Sequence, residues 1–284
     1  MFKRTRVICC VLSICLISVP VEAGKIKSML KGRHRTGQPG QGYDDTMNVP
    51  GQPWGVHDKE RPEPWIITPP TASTQEKSGT APSDAVVLFD GTDLSHWQGG
   101  RKDAKWIIKD GYMEVNGTGS IRTRESFGSC QLHVEFATPD EVKGDSQGRG
   151  NSGVMIMGLY EIQVLDSFEN RSYSDGQAGA IYGQYPPLVN ASREPGKWQV
   201  FDIVFEAPEF DEQGKLVKPA HITVFHNGVV VHNRATSLGQ VAHQDPPQWK
   251  AHAAKLPLTL QDHGNPVRFR NVWIRPLTGY DSDQ

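Results

Sequence analysis

The chain has 284 residues, 37% of them hydrophobic and 22% charged, with a mean hydropathy of -0.50 and a formal net charge of -2. That balance excludes a multispanning membrane protein and a wholly disordered chain, and a pI ≈ 6.6 leaves no electrostatic footprint for nucleic-acid binding. With 29 Gly and 20 Pro against 8% aromatics, turns are frequent and a helical bundle is disfavoured.

Residues 1–23 read as a signal peptide. Lys3, Arg4 and Arg6 supply a basic start, Val7 to Val19 is a 13-residue apolar run, and Val21-Glu22-Ala23 places small residues before Gly24. The run is too short to span a bilayer comfortably, so the expectation is export to a secreted or periplasmic location, with no membrane span after cleavage. Cys9, Cys10 and Cys15 leave with the signal, so Cys130 has no internal disulfide partner. Cys130 precedes an alternating segment and is expected to be a half-buried small side chain rather than a nucleophile.

Residues 24–84 are rich in Pro and Gly and show no sustained periodicity, which predicts a flexible linker. Its start carries Lys25, Lys27, Lys31, Arg33 and Arg35 without an acid, a solvated tail suited to touching an anionic envelope.

From Ala85 to Gly279 the pattern is all-β, with a short tail at 280–284. Val86 to Phe89, Tyr112 to Val115, Gln131 to Phe136, Trp198 to Glu206, His221 to His226, Leu256 to Leu260 and Val267 to Ile274 read as strands. Asn227-Gly228 between two apolar runs is the strongest hairpin signal. Many short strands without a long amphipathic helix predict a two-sheet antiparallel β-sandwich of the concanavalin A-like jelly-roll kind, in one domain.

The segment Arg149 to Asp166 carries the most chemistry. Read as a strand, it turns Val154, Ile156, Tyr160, Ile162 and Val164 to one face and Met155, Met157, Leu159, Glu161 and Gln163 to the other. A face mixing apolar groups with a carboxylate and an amide suits a sugar. Asp166 joins that face only through a bulge. The plainer reading is a solvated face on which Glu161 pairs with an arginine such as Arg270 on a neighbouring strand.

Glu161-x-Gln163-x-x-Asp166 resembles a degraded form of the Glu-x-Asp-x-x-Glu signature of laminarinase-type β-glucanases, with an amide in place of the middle acid. An amide cannot tune a neighbouring carboxylate by charge, which argues against the ordinary retaining mechanism. An ordered set of segments is more specific: Leu88 to Leu94 with Trp97, Trp106 with Asp110-Gly111, Gly150-Asn-Ser-Gly153, Tyr160 to Asp166, Gln261-Asp-His-Gly264, and Phe269-Arg-Asn with Trp273. Over residues 86–277 this set resembles the family of 3-keto-disaccharide hydrolase domains. The resemblance implies a jelly roll acting on glycosides already oxidised at C3.

A ketone at C3 acidifies the C2 hydrogen, so elimination of the C1 substituent followed by water addition is easier than direct displacement. Such a site needs a base near C2, a donor for the enolate oxygen and an acid for the leaving group. Glu161 is the expected base, and His263 the expected base or acid. Asp166 is expected to orient His263 or a water. Arg149 and Arg270 are expected to hold enolate or sugar oxygens, and Asn151 and Gln163 to bind hydroxyls. His221, His226 and His232 match no closed zinc spacing, so no metal or cofactor is expected. A divalent ion such as calcium is compatible by analogy with related jelly rolls, though no acidic loop demands it. The competing readings are a non-catalytic carbohydrate-binding module on the same concave face and a laminarinase-like hydrolase with an altered signature.

Overall fold

The computed structural model describes residues 41–241 and 243–280. The expected signal peptide, the basic segment 24–35 and residues 281–284 lie outside the described residues. In chain order the strands are β1 (Val86–Phe89), β2 (Trp97–Gly99), β3 (Lys102–Asp103), β4 (Ile107–Lys109), β5 (Tyr112–Glu114), β6 (Ile121–Phe127), β7 (Cys130–Ala137) and β8 (Ser152–Ile156). They continue with β9 (Tyr160–Val164), β10 (Gln199–Glu206), β11 (Glu209–Phe210), β12 (Leu216–Lys218), β13 (His221–His226), β14 (Val229–Thr236), β15 (Leu256–Leu260) and β16 (Arg268–Pro276).

The named strands pair antiparallel in two main sheets. The larger runs β14-β13-β10-β7-β16-β5-β4, with β1 also on β16, and the smaller runs β3-β2-β6-β15-β8-β9. Period-two alternation decides what lies between them. Leu132, Val134 and Phe136 of β7, Phe201, Ile203 and Phe205 of β10 and Phe269 of β16 face Val154, Ile156, Ile162 and Val164 of the small sheet in one buried cluster. Each such side chain withdrawn from water contributes roughly 1.5–3 kcal/mol. The β13–β14 hairpin turns on Asn227 (φ 52°) and Gly228 (φ 81°), both left-handed as a tight primed turn requires.

Three local expectations change. The Arg149–Asp166 segment is a hairpin rather than one strand: β8 and β9 pair Ile156 with Tyr160 across a turn through Met157 (φ 56°) and Gly158 (φ 68°). The face assignment survives for the strand residues because a three-residue turn preserves parity, whereas Met157 and Leu159 fall in the turn and pack with the core instead of facing outward. Strand β6 escapes the alternation rule because its inward position 123 is a threonine. Thr123 Oγ1 satisfies itself in the core by donating to the Glu125 carbonyl and accepting from the Leu258 N–H. Cys130 is fully rather than half buried, and burial pushes its thiol up to about 12, which leaves it inert.

The outer face of the large sheet carries a buried polar cluster. Arg270 lies opposite Glu135 in the β16–β7 pair, and a bulge at Asn271 (φ 46°) turns Arg270 and Asn271 to the same side. Glu135 accepts from Arg270 Nε at 2.7 Å, Asn271 Nδ2 at 2.7 Å, Ser73 Oγ and the His133 ring, while His133 also meets Asp202 at 2.6 Å and stacks on Trp273. Residues 71–80 cover the cluster. Arg270 donates to the main-chain carbonyls of Thr74 and Gln75, and the Gln75 amide brackets the Trp198 backbone. This part of the expected flexible linker is therefore seated on the sheet, because Glu135 and Arg270 need its polar groups once water is removed.

Burial alone would raise Glu135, but its hydrogen bonds from His133, Ser73, Asn271 and Arg270 bring it down to about 2. Burial alone would lower His133, but Asp202 and Glu135 carry it up to about 9. The Glu135 contribution to stability is complete above its ordinary 4.5 and is lost as pH falls toward about 2. The His133 contribution is complete below 6.5 and is lost as pH rises through about 9. Arg270→Ala strands the buried Glu135 and is expected to destabilise by about 3–5 kcal/mol in denaturant titrations at neutral pH. A variant as stable as the parent overturns that account.

Candidate active site

The outer face of the small sheet holds a cavity of about 460 Å3. Its floor comes from β9, whose Glu161 and Gln163 point away from the core that Ile162 and Val164 enter. Gln147 and Asn151 reach in from the loop before β8, Tyr173 and Tyr182 from the segment after β9, and Gln261 and His263 from the turn after β15. Val241 and His243 close the remaining side.

Glu161 is 6% exposed, and among the described residues its carboxylate receives no hydrogen bond. Burial raises its pKa to about 7. Two neighbours shape its position. The segment after β9 pairs along the strand edge through Ile162 and Ile181, with the Tyr182 N–H donating to the Glu161 carbonyl at 3.1 Å. That register sets Tyr182 directly across from Glu161 on the same face. On the other side, β8 presents Gly153, and a Cβ there would collide with Glu161 Oε1. The glycine thus leaves the shelf on which the carboxylate lies.

An amide ladder braces the floor. Gln163 Nε2 donates to Asn151 Oδ1 at 2.9 Å and to the Val164 carbonyl at 3.0 Å, and Asn151 Nδ2 donates to the Gln147 carbonyl at 2.7 Å. With its N–H groups engaged, Gln163 keeps Oε1 as the acceptor for a ligand hydroxyl. On the wall, the Tyr182 hydroxyl meets the Tyr173 hydroxyl at 2.9 Å and His243 Nδ1 at 3.1 Å. Burial first, then Tyr173 and the negative charges of Glu161 and Asp175, raise the Tyr182 pKa.

The structure thus brings together Glu161, Gln163, Asn151 and His263, and separates the other three expected site residues. Asp166 and Arg149 form an ion pair at 2.6 Å, and Arg149 also holds the Phe168 carbonyl. The pair ties the loop before β8 to the loop after β9 and lies outside the cavity lining. Asp166 leaves the face because β9 ends at Val164, and its N–H turns to the Arg149 carbonyl. Arg270 lies on the outer face of the opposite sheet and pairs with Glu135, neither with a substrate nor with Glu161. Tyr173, Tyr182, Gln147 and His243 carried no motif in the sequence. Long loops deliver them, and no local pattern marks where such loops land.

Among the described residues there is no group of three or more His, Cys, Asp or Glu side chains that could hold a metal ion. His226 and His232 are occupied inside the fold, the first against Gln199 Oε1 and the second against the Gly179 carbonyl, each at 2.9 Å.

Comparison with known proteins agrees with this architecture. A family model described as the 3-keto-alpha-glucoside-1,2-lyase-like domain matches residues 84–275. A 3-keto-disaccharide hydrolase from Bacteroides thetaiotaomicron is 24% identical over 247 residues, which cover 68% of this chain and 78% of that protein. A crystal structure of a candidate glycosyl hydrolase from Parabacteroides distasonis superposes with a TM-score of 0.74 at 43% identity, covering 80% of this chain and 100% of that one.

Two outcomes test the site geometry. Because Glu161 titrates near 7 when folded and 4.5 when unfolded, its burial costs nothing below 4.5 and its full amount above 7. Glu161→Gln is therefore expected to stabilise the chain at pH 8 by on the order of 2 kcal/mol, and by much less at pH 4.5. Gly153→Ala is expected to displace the carboxylate and lower kcat by at least about tenfold, with little change in melting temperature. Unaltered kinetics in Gly153→Ala would show that Glu161 does not need the shelf.

Proposed function

The chain belongs to the 3-keto-alpha-glucoside-1,2-lyase-like domain family, and from that premise we propose that its cavity cleaves the glycosidic bond of 3-keto-glycosides. The observation that carries this reading is Glu161: a buried carboxylate with no hydrogen-bond donor among the described residues, raised to a pKa of about 7 on the floor of a sugar-sized cavity. A base with that pKa is about half deprotonated at pH 7, more so above it, and strong enough to take an acidified C–H proton. In an ordinary glycosidase the same isolated carboxylate would lack its second acid, because Gln163 is an amide and Asp166 is committed to Arg149.

In this reading Glu161 removes the C2 proton, and negative charge develops on the C3 oxygen. The C1–O bond then breaks and releases the aglycone. Water adds to C1 of the unsaturated ketone while the proton returns to C2, so the sum is hydrolysis. In this reading the Gln163 oxygen and the Gln261 amide recognise hydroxyls, Gln147 and Asn151 brace Gln163, and the neutral amide floor leaves Glu161 as the base. The signal-like N-terminus suits an exported enzyme.

The test offers purified protein a disaccharide and its 3-keto form and follows released sugar and binding. Cleavage of the oxidised form alone is expected, with kcat/KM rising as pH increases through about 7. Glu161→Gln is expected to lower that rate by at least about a thousandfold. Binding without cleavage would make the chain a carbohydrate-binding module, and cleavage of the unoxidised sugar an ordinary glycosidase; either outcome removes this reading.

A further inference from the structure

We propose that Tyr182 is the acid that protonates the departing glycosidic oxygen, with Tyr173 and His243 as the positioning residues that hold its hydroxyl in place. The proposal rests on the 3-keto-glycoside reading of the cavity and assigns the proton donor that reading requires.

Three observations carry it. First, the pairing of Ile162 with Ile181 puts Tyr182 across from Glu161 on the same face, so the two side chains start roughly 5 Å apart at Cβ and border the same cavity. A base at C2 and an acid at the C1 oxygen serve adjacent atoms of one ring, which is the separation this register provides. Second, the Tyr182 oxygen has two neighbours, the Tyr173 hydroxyl at 2.9 Å and His243 Nδ1 at 3.1 Å. Those two contacts fix the hydroxyl against the cavity wall, and when both neighbours donate, His243 carrying its proton on Nδ1, the O–H of Tyr182 is left for a ligand. Third, the other expected acid is less well placed. His263 is exposed, and its imidazole makes no hydrogen bond among the described residues. The turn carrying it is held by Asp262, which accepts from the Gly264 and Gly119 N–H groups.

The step balances. The C2 proton goes to Glu161, the C2–H electrons form the C1–C2 double bond, and the C1–O pair leaves with the aglycone oxygen, which takes the Tyr182 proton. In the second half the attacking water gives its hydroxyl to C1 and its proton to the Tyr182 phenolate. Glu161 returns its proton to C2, and both groups are reset.

Dependence on the leaving group distinguishes an acid from a merely structural tyrosine. The substrates are a 3-keto-disaccharide, whose aglycone is a poor leaving group, and a 4-nitrophenyl 3-keto-glucoside, whose aglycone leaves without a proton. Tyr182→Phe is expected to lower turnover of the first by about 100-fold or more while changing the second by less than about threefold. Tyr173→Phe and His243→Gln should give smaller losses with the same selectivity, and Glu161→Gln should lose both substrates alike. An equal loss on both substrates in Tyr182→Phe, or a selective loss in His263→Gln instead, overturns the assignment while leaving the 3-keto reading intact. If the unaltered chain cleaves neither substrate, the 3-keto reading fails and the assignment falls with it.

Discussion

A carboxylate taken out of water must either be given partners or surrender its charge, and the two sheets of this sandwich resolve that constraint in opposite ways. On the large sheet Glu135 collects Arg270, Asn271, His133 and Ser73 and is brought down to about 2. On the small sheet Glu161 collects no donor among the described residues and rises to about 7. The two differ in surroundings rather than residue type. The first stays charged at every physiological pH and holds structure together; the second is poised to exchange a proton.

The surrounding architecture follows from keeping those two environments apart. The closed polar cluster requires a cover, and residues 71–80 supply carbonyls to Arg270 and a hydroxyl to Glu135. The open site requires the reverse: room beside the carboxylate, provided by Gly153, and a rigid floor without competing charge, provided by the Gln163–Asn151 ladder. Arg149 is bound to Asp166, outside the cavity lining. Placing that cation elsewhere preserves the basicity of Glu161.

The legible part of the fold is the part written as local alternation. β7, β10 and β13 alternate along their length, β16 carries an apolar run that a bulge interrupts, and Asn227-Gly228 fixes its turn through backbone conformation alone, so their existence followed from the chain. Strand β6 was not legible because Thr123 meets its hydrogen-bond needs through Glu125 and Leu258, partners distant in pattern if not in space. At the site, Glu161 and Gln163 were legible as an outward pair on a strand, and His263 as a residue at a sheet-end turn. Arg149, Asp166 and Arg270 had the correct chemistry in the wrong place, because charge type says nothing about which sheet face or which partner a side chain finds.

By itself the sequence determined an all-β sandwich, the face on which Glu161 lies and a family resemblance over residues 86–277. Each of these rests on local periodicity or on ordered motifs, which a linear chain records directly. Only the tertiary structure decided that Glu161 has no hydrogen-bond partner among the described residues, that Tyr182 stands across from it beside Tyr173 and His243, and that Arg270 serves the opposite sheet. A pKa and a hydrogen-bond chain depend on which groups meet across loops and sheets, and that meeting is fixed by packing rather than by spacing along the chain.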